Sequence, residues 1–223
     1  LLSMAHRPSA RFTRALFSVT APVYDWLTRQ EAWTAHCASL ADHFPVARPD
    51  TPRLRVLDLG IGPGVSGVGL LRRRPDLDLT GLDLSRAMLR RANRVLVDPT
   101  TRRPRAHLLA ADVAALPFPD HHFDVVTHHS FLYLLPDRQA ALNKIHQLLK
   151  PGGIFISSTV CLADRMWFLR PVIPVMQWIG KAPYVSFLKA DNVLREVAAT
   201  GFEEQEHWTH GRSNSLFLVS RKR

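Results

Sequence analysis

An α/β fold built on a doubly wound, mostly parallel sheet is what this sequence predicts, and three observations predict it. Short apolar runs alternate with helical patterns of 10–15 residues from Leu54 to Thr159. Glycines crowd the turn after the first run, Gly60-Ile61-Gly62-Pro63-Gly64. Near the carboxyl end two strand-like runs flank a short turn, Gly211-Arg212-Ser213, as in an antiparallel hairpin. With 223 residues and 46% hydrophobic content, one domain with a sizeable core is expected.

The elements follow in order. Residues 7–20 read as a helix with Arg7, Arg11 and Arg14 on one face and Phe12, Leu16 and Val19 on another. A second helical stretch covers 23–40, and a proline-rich link, 45–52, closes this amino-terminal part, taken as a helical lid over residues 1–50. Residues 51–223 form the main domain. Its strands are expected at 54–59, 77–83, 106–110, 123–128 and 153–159, with helices at 65–74, 85–97 and 137–149. Ser85 is the natural N-cap of the second of these helices. The turn Lys150-Pro151-Gly152-Gly153 ends the third and starts the next strand. A last helix, 191–200, precedes strands 203–210 and 214–220 and a short basic tail, Arg221-Lys222-Arg223. The total is seven strands, with one reversed in the hairpin.

Two cysteines, Cys37 and Cys161, lie far apart and read as reduced thiols of a cytoplasmic protein. No apolar leader pattern is visible among the first 30 residues. The net charge of +10 comes mostly from arginine and suits anionic surfaces, a lipid headgroup layer or nucleic acid, as well as it suits ordinary solvated faces. No aromatic–basic interleaving supports nucleic acid, which is not expected as a partner.

The chemistry concentrates at strand ends. Asp58-Leu59-Gly60-Ile61-Gly62-Pro63-Gly64 places an acid inside the strand and glycines where backbone must approach a ligand. The spacing from Gly62 to Gly67 also fits a dinucleotide loop, so an NAD(P)-dependent oxidoreductase is the alternative. Asp58 is unwelcome beside a pyrophosphate and suits a ligand bearing an amino group. That favours S-adenosylmethionine and methyl transfer. Asp83 can accept both hydroxyls of a ribose, and Leu84 and Met88 complete that edge of the cofactor site. Asp112 can accept from the adenine amine while the Val113 N–H serves a ring nitrogen. Three acids at three successive strand ends fit the rule that such sheets bind ligands there. His128 and His129, at the fourth strand end, and Tyr133 are candidates for a general base, because a histidine ordinarily titrates near working pH; His128 also borders the cofactor. No histidine pair has strong metal-ligand spacing, so no metal is assigned.

Across most of its length the sequence resembles class I S-adenosylmethionine-dependent methyltransferases, with their Rossmann-like fold. It is most similar to the branch of ubiquinone/menaquinone C-methyltransferases and phospholipid N-methyltransferases. The resemblance rests on residues 56–64, on Gly81-Leu82-Asp83, on residues 110–118, on Phe123-Asp124-Val125-Val126 and on Leu148-Leu149-Lys150-Pro151-Gly152-Gly153. Phe17-Ser18-Val19-Thr20-Ala21-Pro22-Val23-Tyr24-Asp25 resembles that branch's lid motif, which makes Tyr24 a cofactor contact by resemblance. The quinone enzymes carry a Gly-Leu-Arg-Asn-type run where this chain has residues 129–133, and their carboxyl-terminal arginine–tyrosine element is not evident. Cofactor and chemistry therefore carry over, and a quinone acceptor does not.

The acceptor expected is small and lipophilic: a phospholipid amine, a quinone or isoprenoid, or an aromatic metabolite. An insertion at about 161–190, apolar along 166–179 but too short for a span, reads as the acceptor lid. With the 7–14 arginines it also suggests peripheral contact with an anionic inner membrane surface. A non-catalytic membrane- or RNA-associated protein is the remaining alternative.

Overall fold

The computed structural model describes residues 31–46, 53–165, 184–210 and 215–223. The helix expected over 7–20, the first part of the 23–40 stretch, Tyr24, and segment 166–179 lie outside the described residues.

Seven strands form one sheet: β1 Arg55–Leu59, β2 Asp78–Leu82, β3 Ala106–Leu109, β4 Phe123–His129, β5 Leu149–Val160, β6 Phe202–His210 and β7 Ser215–Lys222. Their order is β3-β2-β1-β4-β5-β7-β6. β1 pairs in parallel with both β2 and β4, and β4 with β5. β7 alone runs against the rest, antiparallel to β5 and to β6. The chain winds outward from β1 in both directions, so the strand order switches between β1 and β4. A crevice opens there, outside the carboxyl ends of the strands.

Apolar residues alternate along the strands and feed two cores. Leu57, Leu59, Val126 and Phe155 pack on one face beneath α4 (Arg138–Leu148) and α6 (Ala190–Ala199). Val56, Val125, Ile154 and Ile156 pack on the other beneath α1 (Glu31–Leu40), α2 (Val65–Arg73) and α3 (Arg86–Val95). A short helix, α5 (Leu162–Arg165), follows β5. Ser85 caps α3, its Oγ accepting from Met88 N at 3.3 Å, and Asp137 caps α4 through Ala140 N at 2.9 Å.

Two sequence-based boundaries are corrected. Gly152, with φ +74°, does turn the chain, but β5 already begins at Leu149, which pairs with Phe123 before the register shifts. The basic tail is no tail: β7 continues through Lys222, which is 6% exposed. Its Nζ donates to the carbonyls of His146 at 2.6 Å and Leu149 at 2.9 Å, closing the end of α4.

Candidate active site

The site is assembled by four turns at the carboxyl ends of β1 to β4. After β1 the chain enters the glycine loop, where Gly60, Gly62 and Gly64 all have positive φ. Two of them also have no room for a side chain. A Cβ on Gly64 would lie 2.9 Å from Ala92 Cα, and one on Gly60 would meet the Phe131 ring at 3.0 Å. The loop is tied to the end of β2. Ile61 N donates to the Leu82 carbonyl at 2.9 Å, and Gly62 N to Asp83 Oδ2 at 3.0 Å.

Asp83 is the hinge of this arrangement. Its Oδ1 accepts from Ser85 N at 2.7 Å while Oδ2 holds the glycine loop. Burial pushes the carboxyl above its ordinary value, and those two N–H bonds pull it back. A carboxylate oxygen accepts more than one bond, so both keep capacity for ribose hydroxyls. Leu84 is half-buried beside it, and Met88 is buried in the first turns of α3. Asp112 is exposed at the end of β3, its carbonyl accepting from Ala115 N at 3.0 Å, and Val113 is buried.

Asp58 does not stand open in the crevice. It has no exposed surface, and Ser66 Oγ in the first turn of α2 donates to its Oδ2 at 2.5 Å. It clamps the loop from below. Burial raises its pKa to about 7, opposed by the Ser66 bond and assisted by the nearby Asp83 charge. Its other oxygen has no hydrogen-bond partner among the described residues, and neither does Oγ1 of Thr127, its register partner on β4.

The two histidines at the end of β4 part company. Successive strand residues face opposite sides of the sheet. His128 lies on the α4 side, 5.7 Å from Phe155 and 6.0 Å from Phe131 between ring centroids. His129 faces the α1 side, where the neighbouring His36 charge adds to burial in lowering its pKa. Both are held at about 3, chiefly by burial, so both rings are neutral at pH 7. The expectation that a histidine here titrates near working pH is corrected accordingly. Tyr133 lies in the turn Leu132–Leu134; burial raises its phenol pKa, a bond with Ser130 opposes this, and its carbonyl accepts from Ser186 N at 2.7 Å.

Sequence reasoning missed four contributors. Ser66 and Thr127 flank Asp58, and Phe131 closes over Gly60. Ser130, with φ +52°, donates its N–H to the Ser158 carbonyl at 2.7 Å and so sets the turn. A signal existed for Ser66, since a hydroxyl in the first helical turn after an acid-bearing strand is well placed to bond that acid. Among the described residues no cluster of three histidines, cysteines or acids could hold a metal ion.

Residues 56–153 match the family described as a methyltransferase domain. That match makes this segment a methyltransferase domain. The chain is similar to the demethylmenaquinone methyltransferase of Thermus thermophilus, 34% identical over 138 residues, 62% of this chain and 61% of that protein. It is similar also to the malonyl-[acyl-carrier protein] O-methyltransferase of Halorhodospira halophila, 39% identical over 105 residues, 47% of this chain and 34% of that one. The chain thus spans less than two thirds of the length of these relatives. Among solved structures, an S-adenosylmethionine-dependent methyltransferase from Mesorhizobium loti superposes with a TM-score of 0.63 at 21% identity, over 88% of this chain and 100% of that one. At such identity the likeness shows the fold. Family and fold together imply S-adenosyl-L-methionine as the cofactor, and the residues present fit it. They offer a ribose-type carboxylate at Asp83 and a loop with three glycines at positive φ, whose backbone can approach a ligand closely.

Proposed function

We propose that this chain moves a methyl group from S-adenosyl-L-methionine to a small lipophilic acceptor: a phospholipid amine, a quinone or isoprenoid, or an aromatic metabolite. The observation that carries the reading is Asp83, whose carboxylate joins the glycine loop to the start of α3 and keeps acceptor capacity for a vicinal diol. When bound, the cofactor supplies an electrophilic methyl group on sulfur. Asp83 would hold the ribose, Asp112 and the Val113 N–H the adenine, and the Gly60–Gly64 backbone the amino-acid end, with Leu84 and Met88 alongside. By resemblance, Tyr24 would touch the cofactor from the amino-terminal side.

In-line displacement asks a protein mainly for alignment and exclusion of water. His128 suits that task better than proton removal. Its buried ring nitrogens have no hydrogen-bond partner among the described residues, and burial makes the imidazolium costly. A neutral ring can hold an acceptor hydroxyl or amine in place through one hydrogen bond. It is a poor sink for the proton, which leaves to solvent or is absent from the acceptor at the outset. His129, on the far side of the sheet, is a positioning residue. Tyr133 remains on the α4 side as a hydroxyl that orients the acceptor.

The named relatives are a demethylmenaquinone methyltransferase and a malonyl-[acyl-carrier protein] O-methyltransferase, so acceptor chemistry varies among similar proteins. A cytoplasmic place at the inner membrane surface goes with a lipophilic acceptor. No described helix is long and apolar enough to cross a membrane. Incubation of the purified chain with methyl-labelled cofactor and fractionated cell extracts tests the proposal. Label is expected in a lipid-soluble product. Label only in aqueous products would overturn the phospholipid and quinone or isoprenoid acceptors and leave the aromatic metabolite, and label in neither fraction would overturn the activity.

A further inference from the structure

The positive charge of this chain is not spread evenly. Between Ser85 and Arg105 stand seven arginines against one acid, Asp98, a surplus of six out of the net +10. A solvated, generally arginine-rich surface would not gather most of its excess in 21 residues.

The fold turns that segment into an ordered array. On α3, Met88, Leu89 and Ala92 face the core, while Arg86, Arg90 and Arg94 are exposed, one per helical turn along the opposite face. They rise about 6 Å apart along the axis. The next residues fold back as a small antiparallel loop. Val97 bridges Pro104, Asp98 N donates to the Arg103 carbonyl at 2.9 Å, and Arg105 N donates to the Leu96 carbonyl at 2.9 Å. This sets exposed Arg102 and Arg103 beside the end of α3. The one acid is engaged in its own loop, Asp98 Oδ1 accepting from Thr100 N at 3.0 Å and Thr101 N at 2.7 Å. Elsewhere on this side Arg73 pairs with Asp42 at 2.7 Å and Arg74 with Asp76 at 2.8 Å. No ion pair holds Arg86, Arg90, Arg94, Arg102 or Arg103 among the described residues.

We infer that the outer face of α3 and the 102–105 loop form a docking surface for an anionic phospholipid bilayer. Guanidinium forks match phosphodiester oxygens bidentately. The array covers a helix face and a loop rather than a cavity, so it fits many phosphates on an extended surface, not one small anion. Single-stranded nucleic acid would want aromatic platforms between the charges. The only large apolar side chains exposed among the described residues are Val46 and Val95, and Val95 lies next to Arg94 within the array. The amino end of the same helix starts at Ser85 and Met88, beside Asp83. A bilayer held against α3 is therefore close to the crevice. This inference concerns binding alone and stands or falls apart from methyl transfer.

The test is co-sedimentation of the full chain with phosphatidylcholine vesicles, with and without phosphatidylglycerol, across a salt series. Binding is expected only with the anionic lipid and should weaken as salt rises. The triple change Arg86→Gln/Arg90→Gln/Arg94→Gln should lower partitioning by roughly a hundredfold, about fivefold for each arginine. Thermal midpoint and S-adenosylhomocysteine affinity should be unchanged. The change Lys144→Gln/Lys189→Gln/Arg195→Gln, on the other side of the sheet, removes equal charge and should leave most binding intact. The inference is overturned by wild-type chain that ignores anionic vesicles, by equal binding to neutral ones, or by an α3 variant that binds undiminished. Equal loss in the control, or tighter arginine-dependent binding to duplex RNA at the same salt, would also overturn it.

Discussion

At the amino-terminal ends of the parallel strands, Asp124 accepts from Arg55 N at 2.9 Å and from Lys150 Nζ at 2.6 Å, and buried Lys222 donates to two carbonyls. At the carboxyl-terminal ends, Asp58 Oδ1, Thr127 Oγ1 and both nitrogens of His128 are buried with no hydrogen-bond partner among the described residues. Buried polar atoms in folded proteins are normally satisfied, and each exception needs a reason. The contrast teaches where the reason lies. At the first edge Asp124 and Lys222 have their partners; the other keeps polar capacity for a ligand. The same edge keeps both histidines neutral at pH 7 and raises the Asp58 carboxyl to about 7, since burial penalises charge.

The largest expected effect follows from removing the ligand edge's principal carboxylate. Asp83→Ala should weaken cofactor binding by a hundredfold or more, since charge-assisted bonds to the ligand and two supports of the loop go together. Calorimetry that found the affinity unaltered would remove the ribose assignment. Next comes Gly64→Ala, which puts a side chain at φ +95° and a Cβ 2.9 Å from Ala92 Cα. A loss of about 2 kcal/mol in stability is expected, with a larger loss in cofactor affinity. Denaturant melts showing no change would mean that the loop is looser than described.

Lys222→Met attacks the opposite edge. It removes the Nζ donor to the His146 and Leu149 carbonyls and should cost about 1–3 kcal/mol in urea unfolding, with cofactor affinity intact. A matching fall in affinity would show that the two edges are not independent.

A smaller effect separates the groups within the ligand edge. His128 and His129 have pKa values lowered from 6.5, so the stability they confer is present above that value and lost on acidification. Asp58 is raised from 3.8 to about 7, so its contribution is present at low pH and lost as pH rises. Between about pH 4 and 6.5 these three groups together bind one more proton in the unfolded state than in the native one, and they contribute a rise of about 1.4 kcal/mol per pH unit. Asp58→Asn should steepen that slope and His128→Leu should flatten it. Urea midpoints at several pH values measure both, and identical slopes in all three proteins would contradict the burial account.

Much of the fold was legible because its signals are local. The alternation of strand and helix, the Ser85 cap, the closing hairpin and the acid after β2 each depend on residues close in sequence. What escaped depends on burial or on one residue's phase. Ending the fourth strand at His128 concealed that it continues to His129, so two adjacent rings looked interchangeable when strand alternation sends them to opposite faces. Their depressed pKa values come from surroundings supplied by α1, Phe131 and Phe155, distant in sequence. Arg221-Lys222-Arg223 looked like a solvated tail because nothing in it reveals that α4 offers two carbonyls to Lys222. The α3 arginines were visible all along, but a whole-chain charge count dilutes a cluster into an average.

Calorimetric titration of the full chain with S-adenosylhomocysteine, and in parallel with NAD and NADP, bears most directly on the central claim. Saturable one-to-one heat with the sulfur nucleoside, abolished by Asp83→Ala, is expected, with none from either dinucleotide. Dinucleotide binding that depends on Asp83, with no response to the sulfur nucleoside, would contradict it.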